Sequence, residues 1–422
     1  MKQQIKIKKQ NKKLVGSIYL PSSKSISNRI LMICFLSRED FTINNLSTAK
    51  DTVLLAKILE SLSKKYSDKI PTVIDAENAG TAFRFLTAAL CITPGKWLLT
   101  GSKRMKQRPI KPLVDALIKL GANIKYTDKK NYPPLLISGN KLSGGEIEIN
   151  SSVSSQFVSA ILMIAPLLSR GLKIILKNKT VSSPYISMTL KLMRSFGIEF
   201  QKNNNIIEIA EQKYKAKKQT IEADWSAASY WYEIAALSNE VDLIINGLTK
   251  NSLQGDSIIF EIFQKFGVKT KFTSEGIHLS KEKSSSFEFN FDFADYPDIV
   301  QTLAVTCAGL NYTGTFSGIQ SLKIKETNRV IALKKELKKI DCLFEEQSEN
   351  KWKLIPKKII DKKEKLETHS IKTYKDHRMA MAFAPLAICK GEIIIEDPDV
   401  VIKSYPGFWD DLKSIGFEIE EL

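Results

Sequence analysis

Along the 422-residue chain, one hydrophobic pattern returns. An amphipathic helical stretch ends in a turn residue, and a short alternating strand follows. The segments are LVDALIKLGANIKY (113–126), LKLMRSFGIEF (190–200), IFEIFQKFGVKTKF (259–272), LKKELKKIDCLFEE (333–346) and DDLKSIGFEIEE (410–421). Their turn residues are Gly121, Gly197, Gly267, Asp341 and Gly416, separated by 76, 70, 74 and 75 positions. Glycine just past a helix suits a left-handed cap, and aspartate tolerates that conformation at some cost. TVLLAKILESL (52–62) reads as a degenerate sixth unit. Such units are longer than the repeats of solenoids, which run roughly 20–50 residues. The spacing therefore predicts an α/β protein of two similar domains, with three units in each.

A second pattern lies at the helix entries, where polar residues crowd ahead of an apolar run. SSKSISNRILMICFLS (22–37) has Ser25 or Ser27 as helix cap, with Lys24 and Arg29 beside it. ENAGTAFRFLTAAL (77–90) puts Gly80 and Thr81 at a helix start, with Arg84 one turn on. NSSVSSQFVSAILMIAPLL (150–168) sets Ser154, Ser155 and Gln156 before its apolar run. GSKRMKQRPIK (101–111) carries five basic residues in eleven positions, which alone would read as a solvated loop. FADYPDIVQTLAV (293–305) has Asp295 and Asp298 where the helix dipole favours acids. KETNR (325–329) would by itself be a surface ion pair, and TYKDHRMAMAFAPLAI (373–388) places Asp376, His377 and Arg378 before small apolar residues. VIKSYPGFWDDL (401–412) places Lys403 before another helix. Each entry is weak evidence singly. Together, several positive helix ends with Arg and Lys point to a site for more than one anionic group.

Composition narrows the classes. A chain 43% hydrophobic and 26% charged is soluble and globular in type. The basic N-terminus lacks an apolar core, so no signal peptide is expected, and no stretch is long enough for a membrane span. Five scattered cysteines without CxxC pairing suggest reduced thiols in the cytoplasm, and three isolated histidines argue against a zinc site. Neither GxGxxG nor a Walker A spacing occurs. The formal charge of +17 fits either a nucleic-acid binder or a protein of acidic small molecules. Of 63 basic residues only 9 are arginines, and Arg29, Arg84, Arg104, Arg108, Arg329 and Arg378 all sit in the polar clusters. Arginine suits bidentate contact with carboxylate or phosphate, which favours a concentrated anion site.

The motifs SKSISNR, NAGTAFR, RMKQRPI, SVSSQF, SSPYI, KETNR, DHRMAM and KSYP stand in one order from about residue 14 to 420. In this the chain resembles the 3-phosphoshikimate 1-carboxyvinyltransferases (5-enolpyruvylshikimate-3-phosphate synthases) of the enolpyruvyl transferase family. The resemblance implies an α/β (α+β) fold of two similar domains, each of three βαβαββ units, an inside-out α/β barrel with the active site in the interdomain cleft. One discontinuous domain, 1–20 plus 226–422, would hold the phosphoenolpyruvate side and the general base. The other, 21–225, would hold shikimate 3-phosphate. Crossovers would fall near 20–24 and 223–230, and the domains would close around the substrates. The implied reaction moves the enolpyruvyl group of phosphoenolpyruvate to the 5-hydroxyl of shikimate 3-phosphate through a tetrahedral intermediate, with no metal or cofactor.

Carried over by motif, the catalytic residues would be Asp298, Glu326 and Lys24. Shikimate 3-phosphate would be held by Lys24, Ser25, Arg29, Ser154, Ser155, Gln156, Ser182, Tyr185, Asp298 and Lys325. Phosphoenolpyruvate would be held by Lys24, Gly80, Arg108, Gln156, Arg329, Arg378 and Lys403. A cytoplasmic monomer without nucleic-acid or membrane partners is implied. Three positions depart from the family pattern. Phe85 stands where many members have Pro, Asn328 where many have Asp, and Ser321 near a usual substrate-contacting Asn. The stretch 60–76 also looks abbreviated. The nearest rival is UDP-N-acetylglucosamine enolpyruvyl transferase, but residues 101–112 lack that family's reactive Cys. A basic nucleic-acid-binding protein is the remote rival, and it would want aromatic platforms or an Arg-rich face.

Overall fold

Five segments are apolar nearly all round: Gly80–Ile92, Ser155–Ile164, Trp225–Leu237, Val300–Gly309 and His377–Phe383. A helix with no solvated face must be enclosed, and all five are helices buried along almost their whole length. The structure, a computed structural model, describes residues 3–62, 70–152, 154–178, 180–357 and 368–422. Residues 63–69, within the stretch expected to be abbreviated, lie outside the described residues. So does most of the lysine-rich PKKIIDKKEK run (356–365).

The chain divides into two compact units, Met1–Ser23 with Glu222–Leu422, and Lys24–Ile221. In each, buried helices are flanked by sheets whose strands alternate buried and exposed positions, so helices lie inside and sheets outside. Gln4–Lys8 shows the alternation: Ile5 and Ile7 are buried, and they pair in register with Ile395 and Ile393. A period of two is what a sheet with one wet face requires.

The first unit holds three four-stranded sheets. Their strand orders are Val268–Phe272, Gly276–Lys281, Glu240–Asn246, Lys13–Tyr19; then Phe289–Asp292, Gly314–Ser317, Lys351–Pro356, Cys342–Ser348; then His369–Ile371, Glu392–Glu396, Gln4–Lys8, Glu418–Glu421. The second unit has two: Thr72–Asp75, Gly95–Thr100, Leu135–Gly139, Asn123–Tyr126, and Gln201–Asn203, Ile206–Ile209, Leu172–Lys177, Gly145–Asn150. Each contains one parallel pair at one end, and its opposite edge strand follows an amphipathic helix. Three of the sheets, the one that begins with Phe289–Asp292 and both of the second unit, arise from an uninterrupted βαβαββ order. The third sheet takes its last strand from the N-terminus, and the first takes its first strand from Lys13–Tyr19. A short parallel pair, Ile43–Asn44 with Gln219–Thr220, accompanies the Lys50–Leu62 helix, the degenerate unit.

The five turn residues of the repeat all have left-handed backbone: φ is 95° at Gly121, 84° at Gly197, 79° at Gly267, 60° at Asp341 and 87° at Gly416. The chain crosses between units twice, and the segments are tied side by side within the first unit. Ser23 N–H donates to Glu222 O at 2.8 Å and Asp224 N–H to Pro21 O at 2.9 Å. Gln254 accepts from Ser23 Oγ at 2.9 Å and donates to Ala223 O at 2.8 Å. Among the described residues no helix is long and apolar enough to cross a membrane.

The inner helices carry a few buried polar side chains, Arg84, Glu233, Gln301, His377 and Arg378 among them, and one of these is an acid. Glu233, in the middle of Trp225–Leu237, is fully buried, and neither carboxylate oxygen has a hydrogen-bond partner among the described residues. Burial pushes its carboxyl well above the usual range. A group with a raised folded-state pKa keeps its proton in the fold while the unfolded chain releases it, so stability falls as pH rises between the two values. Glu233→Gln should therefore gain stability over the parent above about pH 5, on the order of 1 kcal/mol per pH unit. Urea midpoints at pH 5.5 and 8 measure this, and a pH-independent difference would rule it out.

Candidate active site

In the unit Lys24–Ile221, the helices Lys24–Ser37, Gly80–Ile92, Ser155–Ile164 and Ser183–Ser195 begin near one another. Arg29 shows this. Its side chain is 2% exposed and reaches residues in the first two turns of three neighbouring helices. Nε donates to Thr189 Oγ1 at 2.7 Å, Nη2 to Ser159 Oγ and to Tyr185 O at 3.3 Å each, and Nη1 to Ser25 O at 2.9 Å. The rings of Phe85 and Tyr185 lie 5.4 and 5.7 Å from the guanidinium carbon. All of these partners are neutral. Burial pulls the guanidinium down to about 10, so it stays charged at neutral pH without a carboxylate beside it among the described residues. Phe85, one of the departures, is thus a wall against Arg29.

Lys24 opens its helix, and its Nζ lies 3.4 Å from Asp51 Oδ2. The expected capping role of Ser25 and Ser27 is not what the structure shows. The helix already begins at Lys24, and the buried Ser27 Oγ instead accepts from Ser47 N–H at 3.1 Å. Ser154 does cap its helix, accepting from Gln156 N–H at 3.3 Å, with Ser155 nearly buried behind it. Gln156 Nε2 donates to Thr81 Oγ1 at 3.0 Å, which ties it to the Gly80 helix start. Ser182 precedes its helix in a left-handed conformation, φ 56°.

The basic segment 101–111 is only half the solvated loop its composition suggests. Met105–Gln107 forms a short 3-10 turn, with Lys103 and Lys106 exposed but Met105 and Arg108 buried. Arg108 lies over Gly80: a Cβ at Gly80 would stand 2.9 Å from Arg108 Cζ, so the guanidinium would have to move aside to admit one. Arg84 turns inward to Gly80 O at 3.1 Å and Met105 Sδ at 3.2 Å, and so shapes the segment that carries Arg108.

In the other unit the charges are paired. Arg329 begins the helix Arg329–Lys339 and is 1% exposed. Asn328, another departure, caps that helix by accepting from Ile331 N–H at 3.2 Å, as an aspartate would. Arg329 Nε meets Asp376 Oδ2 at 2.7 Å and Nη2 meets Asp376 Oδ1 at 3.4 Å. Nη2 also meets Glu326 Oε2 at 3.0 Å, and Nη1 meets Asp298 Oδ1 at 3.2 Å. Burial opposes its charge, but Asp376, Glu326 and Asp298 outweigh this and hold the guanidinium above its ordinary value.

Arg378 takes the other face of Asp298: Nη2 lies 3.3 Å from Oδ2, and Nη1 donates to the backbone O at 2.9 Å and to Tyr230 Oη at 3.4 Å. Lys403 Nζ lies 3.1 Å from Glu326 Oε1. Lys325 is half-buried at the end of the 3-10 turn Gln320–Ile324, and the half-buried Ser321 lies within it. Neither acid of the DYPD segment caps the following helix, and the Asp298 carboxylate goes to two arginines instead.

Sequence reasoning did not select several of these partners. Ser159 and Thr189 look like ordinary core-helix residues, and Asp51 lies in the degenerate unit. Asp376 stood out only as part of DHRMAM, yet it both caps its helix and takes Arg329 with two oxygens. Asp256 had no signal. It is 3% exposed and accepts from Ser226 Oγ, and burial together with Asp298 pushes its carboxyl up to about 7 while Ser226 and Arg378 pull the other way. Among the described residues no group of His, Cys, Asp and Glu could hold a metal ion.

The arrangement defines a class first. Inner helices, outer sheets and charged helix starts describe an α/β fold with solved counterparts. An EPSP synthase structure from Acinetobacter baumannii aligns over 100% of both chains with a TM-score of 0.77, at 20% identity. Proteins named 3-phosphoshikimate 1-carboxyvinyltransferase are much nearer in sequence. One from Bacteroides fragilis is 47% identical over 406 residues, 96% of this chain and 96% of that one. One from Erwinia tasmaniensis is 35% identical over 421 residues, 95% of this chain and 96% of the other. With the family profile described as EPSP synthase (3-phosphoshikimate 1-carboxyvinyltransferase) matching residues 8–412, the chain belongs to the EPSP synthase family.

The buried pairing makes one stability prediction. Asp376→Ala would leave Arg329 short of its nearest counter-charge and remove a helix cap, so it should cost about 3–5 kcal/mol. Denaturant titration measures it, and a loss below about 1 kcal/mol would mean that Glu326 and Asp298 suffice.

Proposed function

We propose that the protein transfers the enolpyruvyl group of phosphoenolpyruvate to the 5-hydroxyl of shikimate 3-phosphate and releases phosphate. The observation that carries this reading is the convergence of Arg329, Arg378 and Lys403 on Asp298 and Glu326, where cations for an anionic substrate adjoin two carboxylates able to move protons. Family membership supports it. UDP-N-acetylglucosamine as acceptor is not favoured.

In the proposed reaction the methylene carbon of phosphoenolpyruvate takes a proton, and its neighbouring carbon becomes cation-like. The shikimate hydroxyl attacks that carbon and gives up its proton. The tetrahedral adduct then loses a methyl proton and phosphate, so both the double bond and the proton count are restored. Asp298 accepts the hydroxyl proton, while Lys24 and Glu326 handle the methylene proton. Arg29 is charged, buried and surrounded by neutral groups, which suits a dianionic phosphate arriving near it. With it, Lys24, Ser25, Ser154, Ser155, Gln156, Ser182, Tyr185 and Lys325 receive shikimate 3-phosphate. Lys24, Gly80, Arg108, Gln156, Arg329, Arg378 and Lys403 receive phosphoenolpyruvate. The close fit of Arg108 over Gly80 supports the pairing of those two in one anion site.

The pairs in the first unit also suggest how the base is released. An incoming carboxylate or phosphate competes with Asp298 and Glu326 for the same guanidinium and ammonium groups. A displaced Asp298 has its lone pairs available for the hydroxyl proton. The proposal includes a monomer acting in the cytoplasm.

Purified protein should release phosphate from phosphoenolpyruvate with shikimate 3-phosphate and not with UDP-N-acetylglucosamine. No release with the shikimate acceptor would end the proposal. Asp298→Ala should lower turnover by roughly 10²–10⁴-fold, the usual range for an acid–base group, and near-parental turnover would remove Asp298 from the mechanism.

A further inference from the structure

Just ahead of Asp376 the chain makes a costly turn. Tyr374 and Lys375 are consecutive, neither is glycine, and both have left-handed backbone, with φ 54° and 58°. Non-glycine residues persist there only where their surroundings dictate it, and such strain gathers at functional sites. The holding group is Glu336, on the same helix as Arg329 and about two turns further on. Its carboxylate is fully buried. Oε2 accepts from Lys372 N–H at 3.0 Å, and Oε1 accepts from Tyr374 Oη at 2.5 Å. Lys339 Nζ lies 2.6 Å from Oε2 and supplies the counter-charge. Thr373 O closes the turn by accepting from Asp376 N–H at 2.9 Å.

The Arg329–Lys339 helix therefore grips the 372–378 segment at two points. Arg329 holds Asp376 at its start, and Glu336 holds Lys372 and Tyr374 further along. Asp376 in turn fixes Arg378 through the backbone N–H at 3.0 Å. Two anchors prevent both sliding and pivoting, so the spacing of the Arg329 and Arg378 guanidiniums is set by the pair of grips together. Burial and the Glu336 carboxylate keep the Tyr374 phenol far above its ordinary range, so it remains a donor.

We propose that Glu336 and Tyr374 are positioning residues for the anion site of Arg329 and Arg378: they hold the strained 372–375 turn and so set the distance between the two guanidiniums. The inference rests on the reading of those arginines as phosphoenolpyruvate ligands. Tyr374→Phe removes one hydrogen bond and little volume. Glu336→Gln keeps the shape but cannot accept from both partners as the carboxylate does.

Steady-state kinetics of both variants, with both substrates varied, tests this. Tyr374→Phe should raise KM for phosphoenolpyruvate roughly ten-fold, the scale of a hydrogen bond to a charged group, and leave KM for shikimate 3-phosphate within about two-fold. The double variant should be no worse than Glu336→Gln alone, because both act through one network. Unchanged KM for phosphoenolpyruvate in an active Tyr374→Phe protein overturns the inference. So does a parallel rise in both KM values with a lowered melting temperature, which is the mark of a purely structural role. Parental protein in the same assay separates the claims: without parental turnover the functional reading fails, and this inference fails with it.

Discussion

A guanidinium taken out of water must have its donors satisfied, and Arg329 meets that requirement with three carboxylates at once. Asp376, Glu326 and Asp298 come from three different segments, so satisfying one side chain fixes three pieces of chain relative to the Arg329 helix. Removing one partner from such a cluster costs several kcal/mol because the remaining charge stays buried. Arg378 and Lys403 then attach to carboxylates already placed, through Asp298 and Glu326. The candidate acid–base groups are thus the same groups that hold the fold locally. An arriving anion must contend with an existing electrostatic structure there.

Arg29, in the other unit, is solved in the opposite way. Its partners are hydroxyls, carbonyl oxygens and two ring faces, so its hydrogen bonds are satisfied while its charge is not neutralised. Burial without neutralisation is the condition under which a bound anion gains most. The two arginines illustrate two kinds of anion site. One is shaped by neutral acceptors around an unneutralised guanidinium, and the other is occupied by internal carboxylates that a substrate can replace.

The repeat was legible because its physics is local. A helix that ends in Gly or Asp and passes into an alternating strand carries its own cap and its own face, and all five turn residues adopt the left-handed backbone. The deep packing of the small apolar residues after Arg378 follows from the same kind of local pattern, since a helix with so little polar side must turn inward. What was not legible depended on neighbours distant in sequence. Ser27 looked like a cap and instead serves Ser47, twenty residues on. Asp256 and Asp51 look like ordinary acids until the fold sets one near Asp298 and the other against Lys24. Glu336 looked like one more polar position in a lysine-rich helix, and its burial against the 372–374 turn has no local signature.

By itself the sequence pointed to a concentrated anion site, because scarce arginines at helix entries are a matter of composition and spacing. It determined the repeat, because periodicity and capping act within a few residues. Only the tertiary structure decided which charges face each other. It gave Arg29 neutral partners and Arg329 acidic ones, although both stand at the start of a helix beside polar residues. That difference arises from side chains dozens to hundreds of positions away, such as Thr189 for Arg29 and Asp376 for Arg329. Coulomb energy and burial depend on distance in space, which no pattern along the chain encodes.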